Sequence, residues 1–216
     1  MINLDYLLPK TRQVLIELSQ SEIMADYTFV GGSALSCYLS HRLSEDLDFF
    51  TWNKSVDTEK LLPIFDREYL KIINRTAIQT DILYKEVKIT FFSNKWEELK
   101  TSRTPLVGHI QIASRDLLGA MKVNTLFLRA KFRDYYDLYC LVNQGYNIDE
   151  LYELSIKLFP GLTKRLFQIA FTFTDDIIDD DISHLSPKQL VSKKEIETYF
   201  QKKIKEWNKK KVDKGH

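Results

Sequence analysis

The sequence predicts an α+β protein, with a mixed sheet flanked by helices over residues 1–112 and a helical region over residues 113–216. Three observations carry this. Residues 28–50 read as strand, glycine turn, helix and strand: Phe29-Val30 runs into Gly31-Gly32, and a second short run follows at Leu47-Asp48-Phe49-Phe50. Residues 69–92 hold three strand-like segments, Tyr69–Asn74, Thr76–Leu83 and Glu86–Phe92, with Tyr84-Lys85-Glu86 as the turn between the last two. Beyond Ser114 the apolar residues recur at helical spacing.

Taken in order, Val14, Leu15, Leu18 and Ile23 form a helical stripe expected to pack on the first strand. Ser33 stands where an N-cap is expected before the helical run Ala34–Leu39. Ser55–Phe65 reads as a helix through Leu61, Leu62 and Phe65. After the three strand-like segments, Trp96, Pro105 and Gly108 lead to a short apolar strand, His109–Ala113, which serves as a crossover between the halves. Ser114 caps a helix with Asp116 in its first turn, and Arg129–Leu141 forms another. Asp149–Phe159, Leu162–Phe173 and Ile196–Trp207 complete a small bundle.

Composition bounds the function. A chain of 216 residues with 44% hydrophobic and 28% charged residues is an ordinary globular protein, and no stretch approaches the ~20 apolar residues of a membrane span. A net charge of +1 gives no whole-protein reason to bind nucleic acid. The charge is uneven, however: residues 188–216 hold ten lysines against Glu195, Glu197, Glu206 and Asp213. That segment reads either as a solvated helix or as a surface that attracts phosphate. Cys37 and Cys140 lie far apart in helical runs and read as buried free thiols. The first residues lack the basic start and apolar run of a secretory signal. A cytoplasmic location without membrane contact is expected.

The chemistry concentrates in residues 31–48. Glycines at a strand end let backbone approach a ligand, and the free N–H groups of a first helical turn favour an anion such as phosphate, here at Gly32 and Ser33. Thirteen residues after Ser33 comes Asp46-Leu47-Asp48. Alternate residues of a strand share a face, so Asp46 and Asp48 project together. Two carboxylates beside a phosphate-binding turn suit Mg²⁺, which takes oxygen ligands and completes its shell with substrate phosphates. A lone Gly-Gly is commonly a turn and a lone Asp-x-Asp commonly faces water; in order and close together they reinforce each other.

A second constellation lies in the helices. Lys122 sits on an apolar stripe with Leu118 and Leu126, where it either snorkels to water or meets an anion. Asp134 and Asp137 share a helix face with Leu138 and Leu141, and buried carboxylates need partners. Those partners are Arg129, Lys131 or Arg133 in a structural ion-pair network, or else a metal, or Lys122 beside a triphosphate.

The stretch Gly31-Gly32-Ser33-Ala34-Leu35 … His41-Arg42-Leu43-Ser44-Glu45-Asp46-Leu47-Asp48-Phe49-Phe50, followed by Lys122 … Arg129-x-Lys131-x-Arg133-Asp134-x-x-Asp137-Leu138-x-x-Leu141, resembles the AbiEii/AbiGii-type toxin nucleotidyltransferases of the polymerase-beta-like superfamily. The resemblance implies a polymerase-beta-like core followed by a helical bundle that completes the active-site cleft. It implies transfer of an NMP from an NTP to a hydroxyl acceptor, with tRNA 3′ ends or other RNA among the acceptors, Mg²⁺ or Mn²⁺ as cofactor, and a cognate antitoxin. By this likeness Asp46 and Asp48 hold the metal and are catalytic with Lys122, Asp134 and Asp137. Gly32, Ser33, Lys122, Lys131 and Arg133 bind nucleotide. Asp134 or Asp137 is expected to supply a further base or metal oxygen. Asp175 or Asp176, in an Asp-rich run over residues 175–181, matches a further family aspartate.

One departure stands out. The superfamily places a third carboxylate on a strand beside the Asp-x-Asp strand, and the matching position is Thr90, which shares a face with Lys88 and Phe92. Asp81, on the preceding strand, is a candidate stand-in for that carboxylate but is expected to face elsewhere. Two alternatives to the RNA-modifying enzyme follow: a nucleotidyltransferase acting on a small molecule or protein, and a degenerate module that binds nucleotide without turnover.

Overall fold

A computed structural model describes residues 2–129, 131–178 and 181–213, with side chains through Lys209. Its contacts divide it into two compact units, residues 1–118 and 119–216. The division falls within a helix, a few residues beyond the end of the last strand.

The first unit is built on a seven-stranded sheet. Its strands are β1 (Thr28–Val30), β2 (Leu47–Thr51), β3 (Leu70–Arg75), β4 (Gln79–Tyr84), β5 (Val87–Ser93), β6 (Arg103–Val107) and β7 (Ile110–Ala113), in the spatial order β3-β4-β5-β2-β1-β7-β6. The pairs β2/β5 and β1/β7 are parallel and the other four antiparallel, so the sheet is mixed. The helices of this unit are α1 (Pro9–Leu18), α2 (Gly31–Leu39), α3 (Thr58–Leu61) and α4 (Glu98–Thr101).

Register decides what this sheet can do. Phe29, Phe49 and Phe91 lie in one row across β1, β2 and β5, with ring centroids 5.5 and 5.4 Å apart, and all are fully buried. The adjacent row is Val30, Asp48, Thr90 and Asp81, across β1, β2, β5 and β4. Successive residues point to opposite faces, so the aromatic row holds the acidic row on the far side. A slip of one residue would drive Asp48 into the core, which the aromatic row prevents.

Several expectations need correction. The helix expected over 55–65 is only the four residues of α3 followed by a 3₁₀ turn at Leu62–Ile64. The stripe of α1 ends at Leu18; Ile23 belongs to a separate 3₁₀ turn, and α1 packs on β5. The crossover segment holds an additional strand, β6, at the sheet edge, where Pro105 is tolerated because an edge strand need not donate every N–H. The hairpin between β4 and β5 turns on Lys85 and Glu86, both at positive φ (48° and 67°), the geometry a two-residue turn requires.

The helix α5 (Arg115–Leu128) spans the division, and the second unit contains α6 (Phe132–Asn143), α7 (Ile148–Leu158), α8 (Lys164–Thr172) and α9 (Lys193–Asp213). Its core is aromatic: Phe167 and Phe171 are 4.8 Å apart, Phe171 and Phe200 4.7 Å, and Tyr135 stacks on Phe200 at 5.4 Å. A Cβ at Gly119 would come within 3.0 Å of Leu141 and Leu151, so glycine lets α5 lie close against α6 and α7. Cys37 and Cys140 are buried free thiols, and burial raises the Cys37 thiol to about 12. Among the described residues no helix is long and apolar enough to cross a membrane.

Candidate active site

The sheet unit assembles the first set of residues. β1 ends at Val30, and α2 begins immediately at Gly31, whose φ of +77° only glycine adopts without strain. A Cβ there would stand 2.1 Å from Asp48 Oδ2. Glycine is therefore demanded twice, by the backbone angle and by the Asp48 carboxylate lying against it. This places Asp48 beside the first turn of α2, where the helix macrodipole favours negative charge.

Ser33 is the third residue of α2 and not its N-cap, because the helix starts three residues earlier than expected; the cap position is Val30, with no side-chain bond. The Ser33 side chain is buried and serves the fold. Its hydroxyl donates to the carbonyl of Asp46 and pairs with the Ser44 hydroxyl at 2.8 Å. Buried Arg42 donates to the Leu43 carbonyl at 2.9 Å. These bonds fix the segment that delivers Asp46 to the start of β2. What Gly32 and Ser33 offer an anion is therefore their backbone.

Asp46 and Asp48 are both half-buried, while Leu47 and Phe49 are fully buried, which is the alternation expected of them. Thr90 is Asp48's neighbour on β5. Asp81 does not face elsewhere: it pairs with Thr90 in the β4/β5 ladder and accepts a hydrogen bond from Thr90 Oγ1 at 2.9 Å. Gln79 and Asn74 also donate to it, at 2.8 and 3.3 Å. The signal was in the sequence. With Lys85-Glu86 at the turn, Tyr84 faces Val87, and three steps further along each strand Asp81 faces Thr90.

Two half-buried carboxylates two residues apart suit Mg²⁺ or Mn²⁺. Among the described residues no group of three or more His, Cys, Asp or Glu side chains draws together to hold a metal alone. The donor set fits an ion that brings phosphate and water ligands with it.

The helical unit assembles the second set. Lys122 on α5 is buried, and its ammonium donates to Asp134 Oδ1 at 2.6 Å and pairs with Asp137 Oδ2 at 2.8 Å. Arg129 grips Asp134 with two parallel bonds, Nε to Oδ2 at 2.8 Å and Nη2 to Oδ1 at 2.9 Å. The carboxylates of Asp134 and Asp137 are wholly inaccessible, while half of the Arg129 side chain is exposed. Burial pushes the Asp134 carboxyl up, but Lys122 and Arg129 together bring it below the ordinary aspartate value. Held ionised in this way, Asp134 is a poor base. Lys131 caps α6 with its backbone, and Arg133 is half-buried in the first turn. Asp175 and Asp176 are exposed in a turn after α8; Asp179 and Asp180 of the same run lie outside the described residues.

Sequence comparison places this geometry among known proteins. The family described as nucleotidyl transferase AbiEii toxin of type IV toxin–antitoxin systems matches residues 13–82 and 74–205. An uncharacterised Aquifex aeolicus protein, aq_aa25, is 24% identical over 199 residues, 91% of this chain and 95% of its own length. A Helicobacter pylori protein proposed to be a nucleotidyltransferase shares the fold with a TM-score of 0.56 at 16% identity, covering 97% of this chain and 99% of its own. MenT4, a nucleotidyltransferase toxin of Mycobacterium tuberculosis, does so with a TM-score of 0.55 at 15% identity, covering 91% and 84%.

Proposed function

The chain belongs to the AbiEii nucleotidyltransferase toxin family, and from that premise we propose that it moves an NMP from an NTP to a hydroxyl of RNA, the 3′ end of tRNA foremost, in the cytoplasm. In this reading it is a toxin restrained by a cognate antitoxin. The observation that carries the reading is the placement of Asp48 against Gly31 at the start of α2, with half-buried Asp46 just before the first residue of β2. A carboxylate pair and a helix N-terminus then lie side by side, which suits a cation and a polyphosphate bound together.

Asp46 and Asp48 would hold Mg²⁺ or Mn²⁺, which when bound supplies Lewis-acid stabilisation of the transferring phosphoryl group. The backbone N–H groups of Gly32 and Ser33 receive phosphate oxygens. Lys122 contributes positive charge toward the nucleotide, and Asp134 and Asp137 hold its ammonium in place. Lys131 and Arg133 add to the field at the first turn of α6. The exposed lysines of α9, including Lys202, Lys205 and Lys209, suit a polyanionic acceptor; Lys210, Lys211 and Lys214, which extend that charge in sequence, lie outside the residues with described side chains.

The test is incorporation of each of four labelled NTPs into total cellular RNA and protein, with Mg²⁺ or Mn²⁺, by the wild type and by Asp46→Ala/Asp48→Ala. Label in RNA that depends on the two aspartates is expected. Label in protein or a small molecule would move the acceptor. NTP binding without any label would favour the degenerate module, a reading that Thr90 in place of a carboxylate supports.

A further inference from the structure

Nucleotidyl transfer needs the attacking hydroxyl turned toward phosphorus with its proton directed at an acceptor. The row across β2, β5 and β4 contains such an acceptor beside Asp48. A threonine hydroxyl has one hydrogen to donate and lone pairs to accept with. Thr90 spends its hydrogen on Asp81 Oδ1, at 2.9 Å. Its oxygen can then only accept. Adjacent strands are about 4.8 Å apart, so Thr90 lies one strand from Asp48 and Asp81 lies two, roughly 10 Å away.

Asp81 is held unlike Asp134. Its donors are Thr90, Gln79 and Asn74, all neutral, and among the described residues no cation pairs with it. The bond it accepts polarises the Thr90 hydroxyl so that the oxygen becomes a stronger acceptor. Asp81 does not join Asp46 and Asp48 as a third metal ligand, since no such three-residue group forms among the described residues.

We propose that Thr90 accepts the hydrogen bond of the attacking hydroxyl and that Asp81 is the positioning residue that locks Thr90 into its acceptor orientation; as the new P–O bond forms and the bond to the departing pyrophosphate breaks, the hydroxyl proton passes to Thr90 Oγ1 while the hydrogen that Thr90 held passes to Asp81 Oδ1. The inference rests on the nucleotidyl-transfer reading and adds to it the residues that receive the acceptor. A cross-strand Thr–Asp pair could instead serve only the hairpin, where such pairs contribute about 0.2–1 kcal/mol. The two roles separate experimentally.

Transfer of labelled NMP to total cellular RNA is measured for the wild type, Thr90→Val, Asp81→Asn and the double variant Thr90→Asp/Asp81→Asn, together with thermal unfolding of each. The pair acting on the hydroxyl predicts a fall in kcat of about 100-fold for each single variant. The KM for NTP and the melting temperature stay near the wild type. In the double variant a carboxylate at position 90 accepts the hydroxyl directly, and most of the rate returns. Single variants within twofold of the wild type overturn the proposal, as does a loss that follows the melting temperature and is not rescued by Thr90→Asp. A wild type without transfer, or transfer that survives Asp46→Ala/Asp48→Ala, overturns the underlying reading and this proposal with it. Failure confined to the Thr90 and Asp81 variants leaves that reading standing.

Discussion

The two units each present a pair of aspartates, and they treat them in opposite ways. In the helical unit Asp134 and Asp137 are sealed from water and neutralised by Lys122 and Arg129. In the sheet unit Asp46 and Asp48 stay half-exposed, and Asp48 lies on the face opposite the aromatic row, against the backbone of a glycine. The difference teaches what a carboxylate is for in each place. A buried acid bonded to two cations stabilises the fold and orients the lysine it holds. A half-exposed acid on a strand, aligned by a register that cannot slip, can exchange its ligands. The same residue type is thus sealed in ion pairs in one unit and left half-exposed in the other.

Four variants break or sharpen that contrast, from the largest effect to the smallest. Asp46→Asn/Asp48→Asn lowers nucleotidyl transfer by about a thousandfold, the size expected on losing a metal's charge stabilisation, and leaves the melting temperature nearly unchanged. Lys122→Met, by contrast, removes the ammonium shared by two buried carboxylates, leaving Asp134 with Arg129, and costs about 3–5 kcal/mol of stability, read from urea unfolding. Gly31→Ala puts a Cβ into Asp48 and a non-glycine residue at φ +77°, at a cost of about 1–3 kcal/mol; transfer falls because Asp48 must move, which kinetics on the folded variant would register.

The smallest effect is in acid. The folded carboxyl of Asp134 titrates below its ordinary value, so its stabilising contribution is complete above about pH 4–5 and is lost as pH falls through the lowered folded value. Asp134→Asn should remove that part of the acid dependence, seen as a shallower fall in melting temperature between about pH 4 and pH 2.

Much of this was legible from residue patterns. The order of elements around the glycine turn, the alternation of Asp46 and Asp48 with Leu47 and Phe49, and the Ser114 cap, whose hydroxyl accepts from Leu117 N–H at 3.2 Å, all rest on local periodicity and local hydrogen bonding. What escaped depends on contacts between segments distant in sequence or on special backbone angles. Ser33 looked like a cap because caps are commonly serines, yet Gly31 at positive φ lets the helix start directly at the strand end. β6 was hidden by Pro105, which an interior strand would reject and an edge strand accepts. Asp81 was misplaced because its face is set by the register of a hairpin whose turn residues, Lys85 and Glu86, are not the usual glycine or asparagine. For Lys122 the pattern left open whether it snorkels to water or meets an anion; the folded chain buries it against two carboxylates at once.

The most direct test of the contrast sets the two acidic pairs side by side. Transfer of labelled NMP to total RNA and thermal unfolding are measured for Asp46→Asn/Asp48→Asn and for Asp134→Asn/Asp137→Asn. The account predicts that the first variant melts like the wild type and transfers about a thousandfold more slowly, while the second loses much of its stability because Lys122 is left buried without its acids. A first variant that transfers near the wild-type rate, or a second variant that melts like the wild type, would contradict it.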